Sequence, residues 1–152
     1  MNAPDEVAYR LALAKGFLVE AEQDVGLTRW RSCVDNAQLT VENAGKAILA
    51  SFGVPPKTHD PARQVAALLR GQSIQENIRE QMQRLLPDLL ALGTTEHFLT
   101  DYGDEATYTL PWDLFTQEAA EDALAAAQRT LEQTQELLDT IAKWRRDESS
   151  GN

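Results

Sequence analysis

Three polar side chains, Gln38, Glu42 and Lys46, recur at four-residue steps in "NAQLTVENAGKAILASFG" and so line up along one side of a helix. An amide, a carboxylate and an ammonium in one row could hold a small polar ligand. Glu42 before Lys46 is also the favoured order for an intrahelical ion pair, worth about 0.2–0.5 kcal/mol. The two histidines, His59 and His97, are the other candidates for chemistry near neutral pH. His59 precedes Asp60, and Arg63 follows within one helical turn, so Lys46, His59 and Arg63 are the groups available for a nucleotide or RNA site. His59 has a plainer reading beside a helix start, where it helps to close the loop. His97 stands four residues before Asp101, and one His with one Asp is too few ligands for a metal site. No Gly-rich phosphate loop, cysteine pair or Ser–His nucleophile turn is present, and no cofactor or metal is expected.

Charge narrows the partners. The net charge is −10, but it is one-sided: residues 85–128 hold nine acids and no Lys or Arg, whereas residues 1–84 are balanced. A phosphate backbone is repelled from such a surface. Nucleic acid is therefore not expected across residues 85–128, where a solvated acidic face or a handle for a basic partner fits better. The single cysteine, Cys33, has apolar helical neighbours and is expected as a reduced core residue. With no apolar leader and no run of eighteen apolar residues, the expectation is a cytoplasmic protein with no membrane association.

These side chains need elements to carry them. Val7, Leu11, Ala14, Leu18, Ala21 and Val25 form a bundle-helix stripe that ends near Gly26. Trp30, Val34, Ala37, Val41, Ala44, Ile48 and Phe52 form a second, with Gly53 as its stop. The polar row starts at the edge of this second stripe and turns toward solvent. Asp60–Pro61 opens a short third helix that stops at Gly71. A capping box from Ser73 to Glu76 starts a fourth, in which Pro87 either kinks the helix or divides it. Thr94 or Thr95 begins a short segment ending at Gly103. Residues 104–115 have no helical period and are expected as an ordered loop, because Tyr108, Leu110, Trp112, Leu114 and Phe115 are too apolar to be left in water. Core or dimer contact is the reading for Tyr108, Trp112 and Phe115; base stacking by Trp112 would need a basic groove. Thr116 caps a long last helix that ends near "KWRR". The expected fold is all-α, an antiparallel up-and-down bundle of four to five main helices, with one domain over residues 3–146 and a disordered tail at 147–152.

The order of these pieces resembles the HEPN domain family. The resemblance rests on the heptad-like first helix, the Gln38, Glu42 and Lys46–Ala47 helix, and the His59–Asp60 step opening the next helix. It continues in the closing section "DYGDEATYTLPWDLFTQEAAEDALAAAQRTLEQTQELL". It implies a helical bundle of a kind found beside minimal nucleotidyltransferases, in toxin–antitoxin pairs and as metal-independent ribonucleases. Ribonuclease members use an Arg, four to six intervening residues and a His. Here the positions that would need Arg are Phe52, Gly53 and Val54 for His59, and Leu90, Ala91 and Leu92 for His97. Where many members show Arg-Tyr-Pro, this chain has Asp101-Tyr102-Gly103, an anion in place of a cation. The expectation is a non-catalytic module, more a binding protein than an enzyme. It would be a homodimer acting through a protein partner, with a nucleotidyltransferase-like protein as the candidate, in a toxin–antitoxin type system. The alternative is a nucleotide or RNA-binding domain or ribonuclease using Gln38, Glu42, Lys46, His59 and Arg63.

Overall fold

The computed structural model describes residues 3–55, 60–71, 73–92 and 95–151, with the backbone alone for residues 3 and 95–98. His59 and the side chain of His97 lie outside this description. Seven helices follow in order: α1 (Ala3–Gly26), α2 (Trp30–Ser51), α3 (Pro61–Gly71), α4 (Glu76–Ala91), α5 (Thr95–Tyr102), α6 (Pro111–Leu114) and α7 (Gln117–Ser150). No strand forms among the described residues, so the all-α bundle holds, built on α1, α2, α4 and α7 with α3 as a shorter fifth member.

Helix α2 is the spine, and α1, α7, α3, α4, α5 and α6 all pack on it. Residues 27–29 link α1 to α2 and turn the chain back, as so short a link requires. Small residues let the helices approach closely: Ala37, Ala44 and Ala47 of α2, and Ala120 and Ala127 of α7, are fully buried. At Gly45 the approach is tightest, since a Cβ there would lie 2.9 Å from the Pro61 Cβ. Larger side chains, Ile48, Leu49, Ile78, Met82, Leu85, Leu89 and Leu137, fill the space between.

Local chemistry sets the boundaries. Helix α2 ends in a paired closure, Gly53 N–H donating to the Ala50 carbonyl (3.0 Å) and Val54 N–H to that of Leu49 (2.9 Å). Gly53 sits at φ +75°, which glycine adopts without strain. Helix α1 ends with the same pair of bonds, Thr28 to Val25 and Arg29 to Asp24, yet the left-handed residue is Thr28 at φ +55° rather than Gly26. Thr116 Oγ1 accepts from Ala119 N–H at 3.1 Å and starts α7 as expected.

Three expectations are corrected and one open alternative is resolved. Gln75, not Ser73, caps α4, its Oε1 accepting from Ile78 N–H at 3.1 Å; the longer amide reaches the free donor from one residue before the helix. Of the two alternatives for Pro87, division is the one that does not occur: α4 runs through it, because it and Gln83, whose carbonyl loses its partner, are both exposed to water. Helix α7 continues past "KWRR" to Ser150, although residues 142–150 are all exposed. Arg145 ties this extension back by donating from Nη2 to the Ser51 carbonyl at the end of α2. Finally, the polar row does not turn out to solvent, because α2 is covered on nearly every side: Gln38 is 0 % and Glu42 8 % exposed.

Candidate functional site

The residues singled out by sequence fall into two groups in space. The first is the middle of α2. Glu42 and Lys46 pair at 3.5 Å, with side chains only 10 % and 12 % exposed. Their neighbour Gly45 touches Pro61, so the start of α3 lies against the same face. There Asp60 holds Arg63 at 3.1 Å, and Arg63 is 86 % exposed. The structure thus brings Asp60 and Arg63 close to the row, but Gln38 and Glu42 are enclosed by helices. The geometry joins helices here, and a ligand reaching Gln38 would have to part them.

The second group is at the N-terminal end of α2. Gly103 (φ +72°) stops α5 and lets the chain fold into a tight turn, closed by two backbone bonds between Asp104 and Thr109 (2.9 and 3.0 Å). A Cβ on Gly103 would run into the Thr109 carbonyl oxygen, so only glycine fits. Asp104 Oδ1 also accepts from Ala106 N–H. The end of α5, this turn and the start of α6 hold out Tyr102, Tyr108, Leu110 and Trp112, which are 64 %, 92 %, 57 % and 69 % exposed. The expected withdrawal of Tyr108, Leu110 and Trp112 from water does not occur within one chain, while Phe115 packs on the core as expected and Pro111 takes the other inward position. Tyr108 adopts φ +55°, a conformation that costs a residue with a bulky side chain about 1–2 kcal/mol.

Beside Trp112 lies a cavity of about 340 Å³ lined by Thr28, Arg29, Trp30, Arg31, Ser32 and Trp112. Sequence reading did not single out Thr28, Arg29 or Arg31. The available signal was "TRWRS", a helix start carrying two arginines and no capping side chain or acid. The structure bears out that oddity: Arg29 occupies the N-cap position of α2, makes no side-chain cap bond, and the first turn contains no acid. Cations at the positive end of a helix dipole destabilise it by about 0.3–1 kcal/mol each. Arg31 is nonetheless fixed there. Its Nη1 donates to the Thr100 carbonyl at 3.0 Å, and its guanidinium carbon lies 5.9 Å from the centre of the Trp112 ring. Asp35 accepts from Thr100 Oγ1 at 3.2 Å, which steadies that anchor. Arg31 Nε is shielded from water and has no hydrogen-bond partner among the described residues.

Cys33, one turn further along α2, takes no part in this. It is fully buried, its Sγ is 3.6 Å from the Ala120 carbonyl, and burial with the nearby Asp24 carboxylate pushes its thiol up to about 11. Among the described residues no three His, Cys, Asp or Glu side chains gather in a way that could hold a metal ion, and no helix is long and apolar enough to cross a membrane.

Comparison with known proteins adds one relationship. No curated protein sequence matches the chain. The family model of the HEPN domain matches residues 7–137, from the first stripe of α1 to the buried Leu137 of α7, and takes in both groups of residues. With a match over most of its length and a strand-free helical bundle, the chain belongs to the HEPN domain family.

Proposed function

We propose that this HEPN domain is a non-catalytic module that works by holding a protein partner, with a nucleotidyltransferase-like protein of a toxin–antitoxin type system as that partner, and that it self-associates as a homodimer. The observation that carries this reading is the exposed set Tyr102, Tyr108, Leu110 and Trp112, carried by the end of α5, the 104–109 turn braced by paired backbone bonds, and the start of α6. Tyr and Trp are the side chains that dominate binding energy in protein interfaces, and a rigid display lowers the entropy lost on docking. Two features of the sequence support a binding role over cleavage. No Arg precedes either histidine with four to six residues between them, and residues 85–128 carry acids without Lys or Arg, which disfavours a polyanionic substrate.

The test is co-expression with a nucleotidyltransferase-like protein encoded beside it, followed by light scattering at tens of micromolar. A complex that survives purification, and that is lost in the Tyr108→Ala, Trp112→Ala double variant with no change in helicity, is expected. A protein that stays monomeric and carries no partner overturns the proposal. Metal-independent cleavage of labelled RNA in EDTA, abolished by His59→Ala, would overturn it in favour of the ribonuclease reading.

A further inference from the structure

We propose that the outer face of α1 is the surface on which two copies of this chain pair, antiparallel, about a two-fold axis passing between Leu13 and Gly16. This rests on the reading that the domain forms a homodimer, and it says where. Helix α1 buries Ala14 and Ala21 against the bundle, and among the described elements it packs only on α2 and α7. Half a turn round the same helix runs a second apolar row, Tyr9, Leu13 and Phe17 with Ala12, Gly16 and Glu20, which lines an open groove of about 310 Å³. A helix that is apolar on two opposite sides is suited to being covered on both. Gly16 is the sharper sign. Glycine in the middle of a helix is unfavourable, and a close neighbour that needs the space is the usual reason to have one there. Yet among the described residues nothing lies within 4 Å of the place a Cβ on Gly16 would take, so the space serves nothing inside one chain.

A second copy uses it. With the helices antiparallel about that axis, Leu13 of each copy faces Gly16 of the other, Phe17 lies along the flank of the opposing Leu13, and Tyr9 faces Glu20. Large side chains thus meet small ones, a phenol meets a carboxylate, and Ala12 lets the backbones approach. Among the described residues Glu20 forms no ion pair. Arg10, its guanidinium carbon 5.7 Å from the centre of the Tyr9 ring and its Nε 2.9 Å from Glu6, steadies the Tyr9 end and brings a cation toward the incoming Glu20. Net charge selects the same face. At −10 per chain two copies repel each other, but residues 7–20 carry Arg10 and Lys15 against Glu20 alone. The aromatic patch of Tyr102, Tyr108 and Trp112 instead stands among Asp101, Asp104, Glu105 and Asp113, which self-pairing would crowd together. Self-association therefore falls to α1, and the aromatic turn is left for a different protein. The seam from Tyr9 to Glu20 is about 17 Å long and buries less than the roughly 800 Å² per side of a tight complex, so the dimer forms in the micromolar range.

The experiment is sedimentation equilibrium of the full chain over about 1–200 µM, where the wild type should pass from monomer to dimer. Gly16→Leu fills open space in the monomer and improves helix propensity, so it should keep or raise the melting temperature of dilute protein while weakening the dimer at least about tenfold. Phe17→Ala, checked by circular dichroism, should weaken it in the same direction. Tyr108→Ala with Trp112→Ala, on a separate face, should leave the dissociation constant within about twofold. Register is read by oxidation of single-cysteine additions: Leu13→Cys, beside the axis, should link the two copies, whereas Tyr9→Cys, about 17 Å along the helix from its mate, should not, and the buried Cys33 takes no part. A wild type that stays monomeric to about 200 µM overturns this inference and the homodimer together. A dimer that both Gly16→Leu and Phe17→Ala leave intact, or that links through Tyr9→Cys more readily than through Leu13→Cys, overturns the α1 face alone and leaves the homodimer standing. Loss of the nucleotidyltransferase-like partner rather than of the dimer in Gly16→Leu overturns it too, by assigning the face to that protein.

Discussion

Replacing Thr28 by glycine should stabilise the protein. Thr28 closes α1 in the left-handed region, φ +55°, held there by its own N–H to the Val25 carbonyl (3.1 Å) and by Arg29 N–H to the Asp24 carbonyl (2.8 Å). An L-residue pays about 1–2 kcal/mol for that conformation, and a β-branched side chain lies at the upper end. The side chain is exposed, and among the described residues no hydrogen bond of its hydroxyl offsets the strain. Glycine removes the strain but adds freedom to the unfolded chain, a loss of about 0.5–1 kcal/mol. The difference is a gain of about 0.5–1 kcal/mol, or roughly 1–4 °C in Tm for a chain of this size. Urea unfolding followed at 222 nm measures it directly, with Thr28→Ala as the control. Alanine keeps the Cβ that causes most of the strain, so its effect should be under about 0.5 kcal/mol. If Thr28→Gly is no more stable than Thr28→Ala, the turn is not strained and the reasoning fails.

Three further outcomes follow from the same coordinates. Gly103→Ala drives a Cβ into the Thr109 carbonyl oxygen and should open the 104–109 turn, costing about 1–3 kcal/mol for its two bonds; the reporters are heightened protease cleavage there and a weakened partner complex, with the helical signal kept. Thr134→Val removes a hydroxyl that is fully buried and unpartnered among the described residues, and should raise stability by about 1 kcal/mol in chemical denaturation. Cys33 is held protonated in the fold to about 11, against 9.0 for a free thiol, so its contribution is intact below pH 9 and is lost as pH rises toward 11. Comparison of alkaline unfolding with Cys33→Ala should show that excess loss, roughly 2–3 kcal/mol, only in the wild type. A wild-type thiol that reacts freely with a disulfide reagent in the native state would contradict its burial.

The helices were legible because burial imposes a 3.6-residue period on long segments, and Ala14, Ala21, Val34, Ala37, Ile48, Ala127 and Ile141 all lie where that period puts them. Pro61, Gly53, Gly103 and Thr116 marked their boundaries for stated chemical reasons. Two kinds of fact were out of reach. A wheel drawn for one helix assumes a single buried face, so it could not show that α2 is surrounded and that Gln38 and Glu42 are enclosed. Nor does composition reveal which aromatic residues a tight turn will hold outward: Phe115 and Trp112 are three residues apart, yet one packs on the core and the other is 69 % exposed. The cavity was missed for a related reason. Its arginines became notable only once Thr100 and Trp112, distant in sequence, were seen beside them.

The enclosure of α2 also gives the molecule an internal gauge. Amide protons between Val41 and Leu49 are shielded by neighbouring helices and can meet solvent only when those helices separate. Their exchange with deuterium should therefore report the free energy of global opening, while those of the exposed last turns of α7 exchange through fraying. A substitution that slows exchange at both places acts on the whole molecule, and one that slows it only in the last turns of α7 acts on fraying alone.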